Sequence, residues 1–119
     1  MDLVLKGRGV RITDDLRELV GLKIAKIPRV EPRVARVEVE IISEKNPRLD
    51  GIKRIEGAVD IPRKTFRARA EHREVEAALD RLVERLGRQL KDHRTKKRRQ
   101  VIHGANRLKS ARAEDAGWE

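Results

Sequence analysis

The sequence predicts an α+β domain in the order β-α-β-β-β-α, a four-stranded sheet with two helices packed on one of its faces. Three observations support this. Residues 13–27 and 75–90 repeat apolar side chains at helical spacing. Three stretches between them alternate apolar and charged residues with period two, as strands buried on one side do. A sheet dry on one face needs a lid, and both helical stripes can supply one.

The first strand is expected at DLVLK, short and alternating. Thr13 follows as a helix N-cap, with Asp14 and Asp15 in the first turn, where carboxylates suit the helix dipole. Leu16, Leu19, Val20, Ile24 and Ile27 then recur at helical spacing, and the helix is expected to run until Pro28. Gly21 costs that helix about 1 kcal/mol of propensity, for no reason legible in the sequence.

In VARVEVEII, Val37, Val39 and Ile41 face one way and Arg36, Glu38 and Glu40 the other. Asn46-Pro47 and Asp50-Gly51 signal turns. Period two resumes through Ile55, Val59 and Ile61. After Pro62 it continues with Phe66, Ala68 and Ala70 set against Arg67, Arg69 and Glu71. These three strands are expected to be antiparallel.

The closing helix carries Val75, Ala78, Leu79, Leu82, Val83, Leu86 and Leu90 as one stripe. No internal repeat is present. Residues 1–99 are expected to form a single domain and residues 100–119, with Gly104, Ser110 and AEDAGWE, a flexible C-terminal tail.

Composition narrows the function. Hydrophobic residues make up 38% of the 119, with one Phe, one Trp and no Tyr, so the core is aliphatic. Without cysteine, disulfides and thiolate metal sites are excluded. The N-terminus lacks the apolar run of a secretory signal, and no stretch approaches the ~20 apolar residues that span a bilayer. A cytoplasmic protein with no membrane partner is expected.

The net charge of +10 is concentrated. Residues 1–80 hold 18 basic and 15 acidic side chains, residues 81–99 hold 9 and 2, and residues 100–119 hold 3 and 3. Such an excess on one segment is the footprint of a polyanion partner. At ~100° per residue, Arg81, Arg85 and Arg88 stack on the side roughly opposite the leucines, flanked by Lys91 and Arg94. His93 and Lys97 occupy the positions that would extend the apolar stripe past Leu90, so the helix is expected to project beyond the core with cations around it. Like charges four residues apart repel by a few tenths of a kcal/mol per pair, and phosphates relieve them. Lys23 falls within the apolar sector of the first helix, its stem expected to be buried and its ammonium to lie in or beside the groove between the helices. Lys26 lies on the exposed side.

Catalytic constellations are absent. His72, His93 and His103 are scattered, and GRG at residues 7–9 is too short for a nucleotide fingerprint. Glu38, Glu40 and Asp60 share the outer sheet face, where a mixed-charge surface balanced by Arg36, Arg67 and Arg69 is expected. No Gly-Gly-Gln loop of a ribosome-rescue hydrolase is present. No enzyme activity, cofactor, metal or small-molecule substrate is expected.

The chain resembles the ribosome hibernation promoting factor family, which includes the ribosome-associated inhibitor (protein Y). GRGVRITDDLRELVGLKIAKI is similar to the family's opening, with its Ile-Thr helix start and Lys-x-x-Lys. EVEAALDRLVERLGRQLKDH is similar to its closing helix, with Asp80 and an Arg-Gln-Leu signature at residues 88–90. The resemblance covers roughly residues 2 to 99. It implies a fold similar to a double-stranded-RNA-binding domain with an added strand, and binding to the decoding region of the small ribosomal subunit, where such proteins overlap the mRNA and tRNA sites and silence idle ribosomes.

Carried over by position, Lys23, Lys26, Arg85, Arg88, Gln89 and Arg94 match the family's polar helix surface, and Lys96 its basic tail. With Arg81, Lys91 and Lys97 added from the charge pattern, these ten residues are the expected RNA-binding set. Asp92 departs from the pattern where relatives often carry Lys, and Glu76 where an aromatic is common. Longer members add a C-terminal domain that pairs two ribosomes, and residues 100–119 are too short to be one. The expected partners are the small subunit and its rRNA, bound by a protein monomeric off the ribosome. The alternative is a general structured-RNA-binding module without a ribosomal address.

Overall fold

The computed structural model describes residues 1–43 and 51–113, with side chains through Arg98. It contains β1 (Asp2–Arg8), α1 (Asp14–Ile24), α2 (Ile27–Val30), β2 (Arg36–Ser43), β3 (Lys53–Ile61), β4 (Lys64–His72) and α3 (Val75–Ala113). Apart from the single turn α2, this is the expected order. Asn46, Pro47, Asp50 and Trp118 lie outside the described residues, as do all side chains from residue 99 on. The division of the chain at residues 99/100 remains a proposal that limited proteolysis would test.

Thr13 caps α1 as expected: its backbone is extended and its hydroxyl accepts the Leu16 N–H at 3.1 Å. The helix ends earlier than the apolar pattern suggested, at Ile24 rather than Pro28. Proline supplies no N–H for the Ile24 carbonyl four residues back, and its ring crowds that carbonyl. Pro28 instead sits in the first turn of α2, where a missing N–H costs nothing. Ile27 is buried there, so the apolar stripe continues across the break.

The sheet order is β1-β2-β3-β4. β2, β3 and β4 pair antiparallel, as expected for successive strands buried on one face only. β1 pairs with β2 in parallel, which makes the sheet mixed and requires the α1–α2 crossover between them. On the covered face lie Val37, Val39, Ile41, Ile55, Val59, Ile61, Phe66 and Ala70, and against them pack Val20, Ile24, Ala78, Leu79, Leu82, Val83, Leu86 and Leu90.

Gly57, in the middle of β3, allows that packing. A Cβ there would lie 3.0 Å from Leu82 Cδ2 and 3.2 Å from Leu86 Cδ1. Hydrogen in place of a methyl lets α3 settle onto the sheet at its central leucines.

Candidate nucleic-acid interface

α3 is positioned by its leucine face, which fixes where its cations stand. The long side chains do not all point away from the sheet. Arg81 Nη1 donates to the Glu71 carbonyl at 3.1 Å, Arg85 Nη1 to the Arg69 carbonyl, and Gln89 Nε2 to the Arg67 carbonyl at 3.0 Å. All three acceptors lie on β4, an edge strand of the sheet. The expected row opposite the leucines is thus split: Arg81 and Arg85 lean sideways over the sheet edge, while Arg88 stands in solvent and pairs with Glu84 one turn back at 3.0 Å.

Lys23 is between the helices, as its place in the apolar sector implied, with a side chain 20% exposed. It does not end in water. Its ammonium meets Asp80 at 2.9 Å and Glu76 at 3.3 Å, both on α3. Hydrogen bonds to Asp80 first and Glu76 second raise its pKa above the ordinary lysine value. Glu76 is therefore half of the acidic clamp that docks α1 on α3.

Arg94 is also tied down, donating through Nη1 to the Val30 carbonyl of α2 at 3.0 Å. Next to it, Glu31 is almost fully buried and accepts from Arg33 Nε at 2.6 Å and from the Arg33 N–H at 3.2 Å. Those bonds hold its carboxyl below the usual carboxylate range despite burial.

Lys26, Lys91, Lys96 and Lys97 are exposed, and among the described residues none has a carboxylate partner. Of the ten expected RNA-binding residues, these four present unengaged charge. Arg88 adds an exposed charge shared with Glu84. Lys23, Arg81, Arg85, Gln89 and Arg94 contribute polar surface while bonding within the fold. Sequence reading missed Arg63 and Lys64, which the β3–β4 turn brings beside Lys96 and Lys97. The usable signal was the i, i+3, i+4 spacing of His93, Lys96 and Lys97, which puts all three on one helix face.

The outer sheet face is mixed in charge, as expected, and Arg36 takes part in its balance as expected, with β1 supplying two further cations. Lys6 on β1 meets Glu38 at 2.8 Å and Arg8 meets Glu40 at 3.2 Å, with Arg36 3.6 Å from Glu38. The hydrogen bond from Lys6 holds Glu38 below its ordinary pKa, with its charge adding to the effect. Arg67 is only a minor influence on Glu38. Asp60 accepts from Thr65 Oγ1 at 2.7 Å. A carboxylate held ionised by a cation, as Glu38 is, makes a poor general acid. Among the described residues, no group of three His, Cys, Asp or Glu could hold a metal ion, and no helix is long and apolar enough to cross a membrane.

Comparison with known proteins agrees with this architecture. The ribosome hibernation promoting factor of Pseudomonas putida is 31% identical over 105 residues, covering 88% of this chain and 97% of its own. That of Escherichia coli K12 is 34% identical over 97 residues, covering 81% and 96%. A ribosomal subunit interface protein from Coxiella burnetii superposes with a TM-score of 0.71 at 25% identity, over 80% of this chain and 99% of that one. The protein Y N-terminal domain of Thermus thermophilus gives 0.67 at 30% identity, over 78% and 99%. The profile of the Sigma 54 modulation protein / S30EA ribosomal protein family matches residues 3–98, which contain all of the four strands but Asp2, both short helices and the leucine stripe of α3. The chain belongs to that family.

Proposed function

We propose that this protein is a ribosome hibernation factor, not an enzyme, which binds the small subunit in its decoding region and blocks the mRNA and tRNA sites by filling them. The observation that carries the reading is the match to relatives named ribosome hibernation promoting factor over nearly their whole length. The surface supplies a compatible means. Lys91, Lys96 and Lys97 on α3, and Lys26 between α1 and α2, carry charge that no carboxylate within the described residues neutralises, on a domain with an eighteen-residue buried core.

Phosphate neutralisation gives affinity with strong salt dependence and no sequence code. Selectivity for the subunit then comes from the shape of the folded rRNA. A domain with one Phe and no Tyr has little with which to stack unpaired bases, the mode of single-strand binders. The block is steric: a rigid body held by phosphates occupies space that the translating ribosome needs.

Co-sedimentation with small subunits, in the presence of excess unrelated duplex RNA, tests this. Retention on the subunit together with loss of mRNA and initiator-tRNA binding is expected. Displacement by duplex RNA at equal mass would instead indicate a general structured-RNA binder.

A further inference from the structure

Beyond Leu90, α3 passes the tight turn that joins β3 to β4. Arg63 in that turn has φ of 70°, a left-handed conformation that brings Lys64 back onto β4 directly after Pro62. Lys64 Nζ lies 5.1 Å from the centroid of the Phe66 ring. The imidazole of His93 meets the same ring edge-on, with centroids 5.2 Å apart and planes at 67°. Lys96 and Lys97 follow one turn further along α3. Two adjoining hollows of about 420 and 350 Å³ share Lys64, His93 and Lys96, and the second is closed by Arg63 and Lys97.

Arg63, Lys64, Lys96 and Lys97 have no carboxylate partner among the described residues. The nearby Glu31 is held by Arg33, and the other acid at the site is Asp92, on the wall of the larger hollow. Several cations elsewhere in the fold sit beside acids, as Lys23 does with Asp80, and the unpaired Lys26 and Lys91 are not among the residues that line these hollows. Here four positive groups from a turn, a strand and a helix converge with their repulsion unrelieved, and a bound anion would relieve it.

We propose that this notch is a phosphate-binding site, with Arg63, Lys64, Lys96 and Lys97 as its cationic ligands and His93 at its base. Its ligand is a backbone phosphate of RNA, an assignment that rests on the ribosomal reading above. The site is distinct from the Arg88–Lys91 side of α3, so it gives the domain a second anchor and fixes its rotation about the helix.

Binding at this site is linked to protons. Burial holds His93 below the ordinary histidine value, and Lys64, Lys97 and Arg33 add to this while Glu31 opposes it. The groups facing His93 are Lys64 and Phe66 on β4, Arg63 in the turn, Arg33 and Glu31 before β2, and Gln89, Asp92, Lys96 and Lys97 on α3. A phosphate entering among the lysines offsets their charge, so His93 binds a proton more readily in the complex. By linkage, the complex tightens as pH falls through the interval between the free and bound pKa values.

NMR titration of the full chain with inorganic phosphate, against chloride at equal ionic strength, tests the site without the ribosome. Saturable shifts at the amides of Arg63 and Lys64, with a rise in the pKa of His93, are expected. Identical His93 titrations in the two salts, or shifts spread evenly over all cations, would overturn the proposal.

A second arm measures small-subunit affinity against salt for Arg63→Ala with Lys64→Ala, and against pH for His93→Gln, each first shown to melt cooperatively. Loss of this one phosphate contact should flatten the log–log salt slope by about 0.7–0.9. His93→Gln should abolish the tightening at lower pH. An unchanged slope with wild-type pH dependence removes the notch and leaves the ribosomal reading standing. Failure of the wild-type protein to bind subunits removes that reading, while the phosphate titration still decides the site.

Discussion

Gln89 Nε2 on α3 donates to the Arg67 carbonyl on β4 at 3.0 Å, the last of three such bonds along that strand. Arg81 and Arg85 make the other two, to Glu71 and Arg69. The spacing is commensurate: four helical residues rise ~6 Å, and two strand residues span ~6.6 Å. A helix laid antiparallel to an edge strand can therefore place every fourth side chain on every second carbonyl. Exposed edges invite pairing with other chains, and this one is covered by side chains instead of another strand.

Removing that cover should have two effects. Arg81→Ala, Arg85→Ala and Gln89→Ala together are expected to lower stability by about 0.5–1.5 kcal/mol per bond, toward the low end because the bonds are exposed. They should also promote self-association, measured by analytical ultracentrifugation. Arg88→Ala, which breaks only the exposed pair with Glu84, should do neither.

The clamp on Lys23 gives a pH signature on the alkaline side. Its folded pKa is raised, so its contribution is complete below the ordinary lysine value of 10.5 and lost as pH rises through the folded value. Lys23→Met and Asp80→Asn should each lower the melting temperature at pH 7, and the double variant should lose less than the sum of the two.

On the acid side the order of loss is set by His93 first and then by the carboxylates, of which Glu31 is the buried one. The folded pKa values of His93 and Glu31 are both lowered, so both contributions are present above the unfolded values and fade as pH falls. In the absence of phosphate, stability should first decline as pH falls through 6.5, a step that His93→Gln removes. It should decline again below 4.5, a step to which Glu38 also contributes and which Glu31→Gln makes smaller. Chemical denaturation across pH 3–8 reads both.

The glycines should respond with opposite signs. Nothing lies within 4 Å of a Cβ built at Gly21 or Gly87, so alanine at either position should stabilise its helix by up to about 1 kcal/mol. Gly57→Val forces a branched side chain against Leu82 and Leu86 and should cost about 1–3 kcal/mol. Thermal melts distinguish the two cases.

What could be read in the sequence follows from what periodicity records. Burial imposes a period, so Val37, Val39 and Ile41 or Leu79, Leu82 and Leu86 declare their faces without a structure. Thr13 declares a cap because the hydroxyl acts within three residues of itself. The parallel seating of β1 beside β2 is a tertiary choice that no local pattern encodes. Pro28 misleads for a related reason: it is equally at home after one helix or in the first turn of the next.

The candidate site was legible as charge but not as geometry. Helical angle placed Arg81 and Arg85 opposite the leucines, yet a flexible guanidinium can reach sideways to the β4 edge. Lys23 carried the right position and no hint that Asp80 and Glu76 would claim its ammonium. The notch at Arg63 and Lys64 joins residues some thirty positions from Lys96 and Lys97, a distance across which charge counting along the chain is blind.

A cryo-EM map of the protein bound to vacant small subunits decides whether α3 faces rRNA in the decoding region. The domain should lie in the decoding region, across the mRNA and tRNA path, with Lys91, Lys96 and Lys97 of α3 against rRNA phosphates. A domain seated outside that path, or held by its outer sheet face with α3 turned to solvent, would contradict this placement.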